Sequence, residues 1–289
     1  MADDSKYLQS DPYEQENGVL KNNLAITTTR ELNVAESDHA SWRVIQLQAR
    51  PIRGQFDLKH LQQIHKYVFQ DVYPWAGEIR RVNIGKGDTN FCRTDRIEPE
   101  FDKLHKQLSG ENRLRGLPAD EFAKQATQYL VEINAIHPFR EGNGRTQREF
   151  IGQIAKEAGY KIEWNKMGRE AVTQAHIDAH SGEDRKLQRL IELNLKVMTP
   201  AERMAHAFRA HEEPEARREY PALAGAYNAV RAVDRNLEFQ GIGAAARERA
   251  CSAMSERIAL NIEAVGAFIK PSPAKEPGPP QDPSQEPVR

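Results

Sequence analysis

The stretch His137–Arg148, reading HPFREGNGRTQR, gathers more chemistry than any other part of the chain. Helical patterns flank it, so it is a loop that runs into a helix N-terminus. Glu141-Gly142-Asn143-Gly144 places two flexible glycines where the second helix begins. Such a turn exposes backbone N–H groups at the positive end of the helix dipole, which makes an anion site. Arg145 and Arg148 are three apart on the first turn of that helix and share a side. Two guanidinium forks beside a backbone nest fit a polyphosphate. Glu141 puts a carboxylate next to the nest, which makes sense if Mg²⁺ lies between it and the phosphates. His137 is the one residue of the stretch suited to accept a proton near neutral pH. A phosphate cradle, a metal ligand and a base together describe phosphoryl or nucleotidyl transfer.

The elements that must hold this loop are mostly helical. Asp57–Phe69 places Leu58, Leu61, Ile64 and Val68 on one helical face, and Pro74 and Gly77 then interrupt. Glu121–Ile136 carries Phe122, Ala126, Leu130 and Ile133 in register, and Pro138 stops it. The next helix starts near Asn143 and runs through Phe150, Ile151 and Ile154 to Gly159, a C′ glycine. Ser181 and Asp184 offer an N-cap ahead of Leu187, Leu190, Ile191 and Leu195. Arg80–Cys92 is Gly-rich, alternates Val82 and Ile84, and suits a short hairpin. From Tyr220 to Ile269 helical spacing returns, with Ile258, Leu260, Ile262 and Val265 as apolar positions.

The 289 residues allow one large domain or two smaller ones. With 41 Lys and Arg against 42 Asp and Glu, the formal net charge is -1, which disfavours a strongly basic nucleic-acid binder. Two cysteines, Cys92 and Cys251, rule out a disulfide scaffold and a cysteine-rich zinc site. No apolar run is long enough to span a bilayer, and the acidic start lacks the layout of a signal peptide, so a reducing cytoplasm is expected. Residues 199–269 contain nine Arg and no Lys, and the last 20 residues hold 7 of the 16 prolines. Composition therefore divides the chain into a core of 1–198, with its motif loop at 137–148 and hairpin at about 80–92, a helical extension of 199–269, and a Pro-rich disordered tail of 270–289.

The loop resembles the Fic family motif H-P-F-x-[D/E]-G-N-G-R-x-x-R at every defined position. Tyr73–Arg80 looks like the segment before that family's flap, and Arg81–Phe91 looks like the flap itself. The resemblance covers much of 50–198. It implies an all-α, Fic-type helical core with a small β-hairpin flap, plus a helical C-terminal extension. It implies a protein adenylyltransferase that moves AMP from ATP to a Ser, Thr or Tyr hydroxyl. Carried over, His137 would deprotonate the target hydroxyl and Phe139 would anchor the loop. Glu141 would hold the Mg²⁺ that bridges the α- and β-phosphates. Gly142, Asn143 and Gly144 would form the anion hole. Arg145 would contact the β- and γ-phosphates, and Arg148 the γ-phosphate. The flap would pair with an extended target segment. The Doc subgroup, whose members are kinases, has Lys at the position of Gly144, so glycine here favours AMP transfer.

Fic proteins are commonly held off by a helix with [S/T]-x-x-x-E-[G/N], whose Glu pairs with the second motif Arg, here Arg148. Glu16, Glu111 and Glu141 precede Gly or Asn but lack the hydroxyl residue four before, while Glu31 and Glu256 have the spacing without the following Gly or Asn. Inhibition in trans by a small antitoxin is the expectation, with type II DNA topoisomerases (gyrase or topoisomerase IV) as the implied targets of the toxin type. Two other readings stand beside it: transfer of another nucleotide such as UMP, and an exported or adaptor effector whose residues 199–289 dock a partner. Lys86 and Asp88 read as solvated turn residues, and Cys92 as structural. His176 and His180 are one turn apart but lack a third ligand.

Overall fold

The computed structural model describes residues 11–86 and 89–266. Asp88, the side chain of Lys86 and the Pro-rich tail lie outside the described residues. The chain is helical, as the periodicity predicts. In order it forms α1 (Thr29–Ala49), α2 (Leu58–Phe69), β1 (Gly85–Lys86), β2 (Thr89–Asn90), α3 (Ile97–Gly110), α4 (Ala119–Ile136) and α5 (Asn143–Glu157). There follow β3 (Tyr160–Ile162), α6 (Arg169–His180), α7 (Arg185–Leu193), β4 (Leu195–Val197), α8 (Pro200–Ala210), α9 (Glu213–Glu219), α10 (Ala224–Phe239) and α11 (Ala244–Val265).

Local chemistry sets the ends of these helices. Asp57 caps α2 by accepting from the His60 amide at 2.9 Å. Thr199 and Glu202 form a capping box at α8, with Pro200 in its first turn. Gly159, at φ 85°, follows the end of α5 as a left-handed glycine should.

Helix α5 packs between α2 and α4, α1 covers α2, and α6 and α7 lie against α4. Their buried side chains form one hydrophobic core that runs from Tyr13 to Ile191 and includes Ile64, Phe69, Phe122, Leu130, Phe139 and Phe150. A second cluster joins Met204 and Phe208 of α8 to Leu223, Ala226, Ile258 and Ile262. Leu260 and Val265 of α11 face solvent, because the inner face is formed by Ile258, Ala259 and Ile262.

The sequence reading needs two local corrections. Leu195 does not continue the seventh helix: it opens β4, which pairs antiparallel with β3, Ile162 opposite Leu195. Three-residue strands carry too little alternation to be seen in sequence. Ser181 ends α6, and Asp184 precedes α7 without making a side-chain cap. The expected hairpin is present, with Gly85 opposite Asn90. No helix among the described residues is long and apolar enough to cross a membrane.

Candidate active site

The site grows from the junction of α4 and α5, where the chain must reverse within six residues. His137 ends α4 in the left-handed conformation, φ 48° and ψ 61°, with its amide donating to Ile133 O. Its Nδ1 lies 3.1 Å from the carbonyl oxygen of Asn134. A carbonyl can only accept, so Nδ1 carries a hydrogen, and in the neutral ring Nε2 is then the basic nitrogen. Phe91, from the base of the flap, stacks on the imidazole with ring centroids 3.7 Å apart.

Asn143 closes the turn between the two helices. Its Oδ1 accepts from the Phe139 amide at 3.0 Å and its Nδ2 donates to Phe139 O at 2.7 Å. The Asn143 side chain is thus spent inside the loop, and only its backbone amide can serve an anion. Phe139 is buried against His65, whose ring stacks on it at 3.9 Å. His65 Nδ1 accepts from the Gly77 amide at 2.8 Å, and its Nε2–H donates to Glu141 O at 3.0 Å. Burial depresses its pKa to about 3, so it holds the loop as a neutral imidazole.

Gly142 has φ 81°, and a Cβ there would meet the Phe69 ring at 2.4 Å. Backbone strain and this rigid clash add. We expect Gly142→Ala to lower stability by about 2–4 kcal/mol, measured by urea unfolding, and to weaken nucleotide binding in the folded fraction.

Helix α5 then points its first turn at a cavity of about 330 Å³, lined by Glu141, Gly142, Gly144, Arg145, Arg148, Trp164, Met167, Arg169, Val172 and Thr173. The amides of Asn143, Gly144 and Arg145 have no acceptor within the helix, while that of Thr146 already bonds Gly142 O. Helix α6 begins at Arg169 on the same cavity, so two helix N-termini and three arginines face one space. Burial, and then Arg145 and Arg169, push the Arg148 pKa down to about 10; it stays charged at neutral pH. Among the described residues Arg148 makes no ion pair. This crowding of positive charge is relieved by a polyanion.

Arg145 differs from its neighbour. It lies over the Phe69 ring at 5.0 Å and pairs with Glu36 of α1, a carboxylate only 6% exposed. Tyr73 donates to the other oxygen of Glu36 and is held protonated by burial and by that carboxylate. Sequence reasoning did not single out Glu36, Arg169, Trp164 or Met167. Glu31 caps α1 with Thr28, and Glu256 pairs with Arg209, so neither engages Arg148. Glu141 is exposed at the cavity mouth, where one carboxylate oxygen accepts from the Gly142 amide at 2.9 Å. His176 faces Arg148 with both ring nitrogens buried and unbonded, its pKa lowered to about 4 by burial and then by Arg148.

The protein adenylyltransferase VbhT of Bartonella schoenbuchensis is 44% identical over 191 residues, 66% of this chain and 40% of that protein. The chain therefore spans well under half the length of VbhT. The probable protein adenylyltransferase Fic of Escherichia coli is 37% identical over 171 residues, 59% of this chain and 84% of that protein. Among solved structures, the N-terminal Fic domain of a VirB-translocated Bep effector from Bartonella quintana, with bound ADP, superposes with a TM-score of 0.60 at 28% identity, covering 65% of this chain and 95% of that one. BepC of Bartonella tribocorum shares the fold, with a TM-score of 0.61 at 24% identity over 67% of this chain and all of that one. The sequence model of the Fic/DOC family matches residues 55–155, which hold α2, the flap, α4, the motif loop and nearly all of α5. Because it covers 84% of a 37%-identical relative, and with this match beside it, the chain belongs to the Fic/DOC family.

Proposed function

We propose that the chain is a protein adenylyltransferase that moves AMP from ATP to a hydroxyl of a target protein. The carrying observation is the placement of His137, in its Nδ1–H form, at the end of α4, one short turn from the arginine-lined N-terminus of α5. His137 Nε2 takes the proton of a target Ser, Thr or Tyr. The freed oxygen bonds the α-phosphorus as the bond to the β-phosphate oxygen breaks, and pyrophosphate leaves. The α5 amides and Arg148 hold the phosphates, and Arg145 joins them from its seat on Glu36. Trp164, Met167 and Val172 supply the apolar and aromatic wall that a nucleobase needs.

The donor set at the cavity mouth fits magnesium, since Glu141 offers a hard carboxylate oxygen beside a phosphate cradle. Mg²⁺ bound there would neutralise charge on the departing phosphates. Gly144 supports nucleotidyl over phosphoryl transfer. A Cβ there would stand 3.3 Å from the Arg148 guanidinium, so a longer side chain would enter the phosphate space.

The toxin-type resemblance points to a subunit of a type II DNA topoisomerase as target and to a small antitoxin as the inhibitor in trans. Arg148, unpaired among the described residues, is available to an external carboxylate. Helix α1, which carries Glu36, exposes Val34, Trp42 and Ile45, an apolar face that a partner helix would cover. A bacterial lysate incubated with the purified chain and α-labelled ATP should show a labelled band of topoisomerase-subunit size. Labelling from γ-labelled ATP alone would make the chain a kinase and overturn the reading.

A further inference from the structure

Among the described residues one cluster has the donor types and spacing of a metal site, and it lies away from the phosphate cavity. Glu157, the last residue of α5, and His206 and His211 of the α8 segment bring one ligand atom each within 4.8 Å of one another. His206 Nε2 lies 3.1 Å and His211 Nε2 lies 2.7 Å from the same oxygen, Glu157 Oε1. The three side chains are 6% to 9% exposed.

We propose that Glu157, His206 and His211 bind a zinc-class divalent metal that rivets the C-terminal extension to the Fic core. Two imidazole nitrogens and one carboxylate oxygen form a set that zinc takes, with a fourth position left for water. In the bare protein the two imidazoles can both donate to Oε1, and that hydrogen-bonded cluster is the competing reading. Three features favour the metal. First, both histidines aim the same nitrogen at one point, separated by distances that a metal between them would open by only a few tenths of an ångström. Second, two of the three ligands, Glu157 and His211, have a further partner of the right kind. Arg115 pairs with the other oxygen of Glu157, and Glu219 stands 3.9 Å from His211 Nδ1, a buried nitrogen with no hydrogen bond. A metal-bound histidine characteristically directs its second N–H at such a carboxylate. Third, a cavity of about 630 Å³, lined in part by Gln153, Glu157, His206, His211 and Glu215, gives entry and room for the fourth ligand.

The position suits a cation. Glu157 ends α5, where the helix dipole is negative, about 21 Å along the helix from the phosphate-binding end. Helix α8 opens the second hydrophobic cluster, so a metal at this point crosslinks the two cores. Its role is to fix the extension, and it takes no part in nucleotide chemistry.

The test uses the full chain stripped with a chelator, then dialysed and titrated with Zn²⁺ by calorimetry. One Zn²⁺ per chain is expected, with a micromolar or tighter Kd. Co²⁺ should give the intense visible absorption of a four-coordinate ion. Melting should rise by about 5 °C or more at a hundredfold excess of Zn²⁺ over Kd. His211→Gln should weaken Zn²⁺ binding on the order of 100-fold, and His206→Gln should do the same. Because Glu157 also anchors Arg115, Glu157→Gln carries a folding risk, so the two histidine variants decide. Failure of the wild-type chain to bind Zn²⁺ would overturn the proposal. So would binding that both histidine variants retain unchanged, since the metal would then sit elsewhere.

Discussion

Replacing His137 with Ala is expected to lower the rate of AMP transfer about 10²–10⁴-fold while leaving ATP affinity within a factor of a few. The size follows from what the side chain does. Its Nδ1–H is committed to Asn134 O, which fixes the neutral tautomer and directs Nε2 as the proton acceptor. The imidazole is further held by the Phe91 ring, so little orientation has to be gained at the moment of reaction. ATP affinity should survive because, on the proposed reading, the α5 amides, Arg145 and Arg148 would hold the phosphates without it. His137→Asn is the sharper companion. Asn tolerates the left-handed backbone found here and can hydrogen-bond the same carbonyl, but it cannot take a proton. Single-turnover transfer from α-labelled ATP, with ATP affinity measured separately by calorimetry, reads both quantities. Transfer within tenfold of wild type in both variants would place the base elsewhere.

What the sequence made legible was local. The motif loop occupies twelve consecutive residues, and its neighbours α2, α4 and α5 have regular apolar faces, so type and spacing sufficed. Helix α1 escaped because its pattern is mixed. It buries Leu32, Glu36, Ala40 and Leu47 while exposing Val34, Trp42 and Ile45. A carboxylate on the inner face is unreadable until its partner, Arg145, is brought to it from 109 residues away. Arg169, Trp164 and Met167 reach the cavity through the return of the chain after α5, which no local pattern encodes. The same holds for Glu157 with His206 and His211, three residues from two cores. Their alignment depends on how α8 docks on α5.

Arg80 shows how such a distant contact controls the site, and its replacement should be strongly destabilising. The side chain is 2% exposed and reaches across the base of the flap. Its Nε donates to His137 O at 2.8 Å, one terminal nitrogen donates to Val82 O at 2.8 Å, and the other serves Cys92 O and Ile136 O. Its own amide donates to Pro138 O at 2.9 Å, and the Cys92 amide donates to Ala135 O at 3.0 Å. One guanidinium thus ties both arms of the flap, at Val82 and Cys92, to the carbonyls around His137. Among the described residues no carboxylate pairs with it; carbonyl dipoles surround the charge instead. Lysine keeps the charge but offers one compact ammonium, which cannot span the fork. Arg80→Lys should therefore leave at least two buried carbonyls without donors, at about 1–3 kcal/mol each. A total of about 3 kcal/mol corresponds to a fall in melting temperature of about 6–12 °C for a domain of this size. In the protein that still folds, target modification should drop further than ATP binding, because the flap and His137 lose their common anchor while the α5 N-terminus keeps its own packing. Thermal melting gives the first quantity, and the ratio of target modification to ATP affinity gives the second. A variant that melts within 2 °C of wild type would show that the flap is held to the loop by its backbone alone.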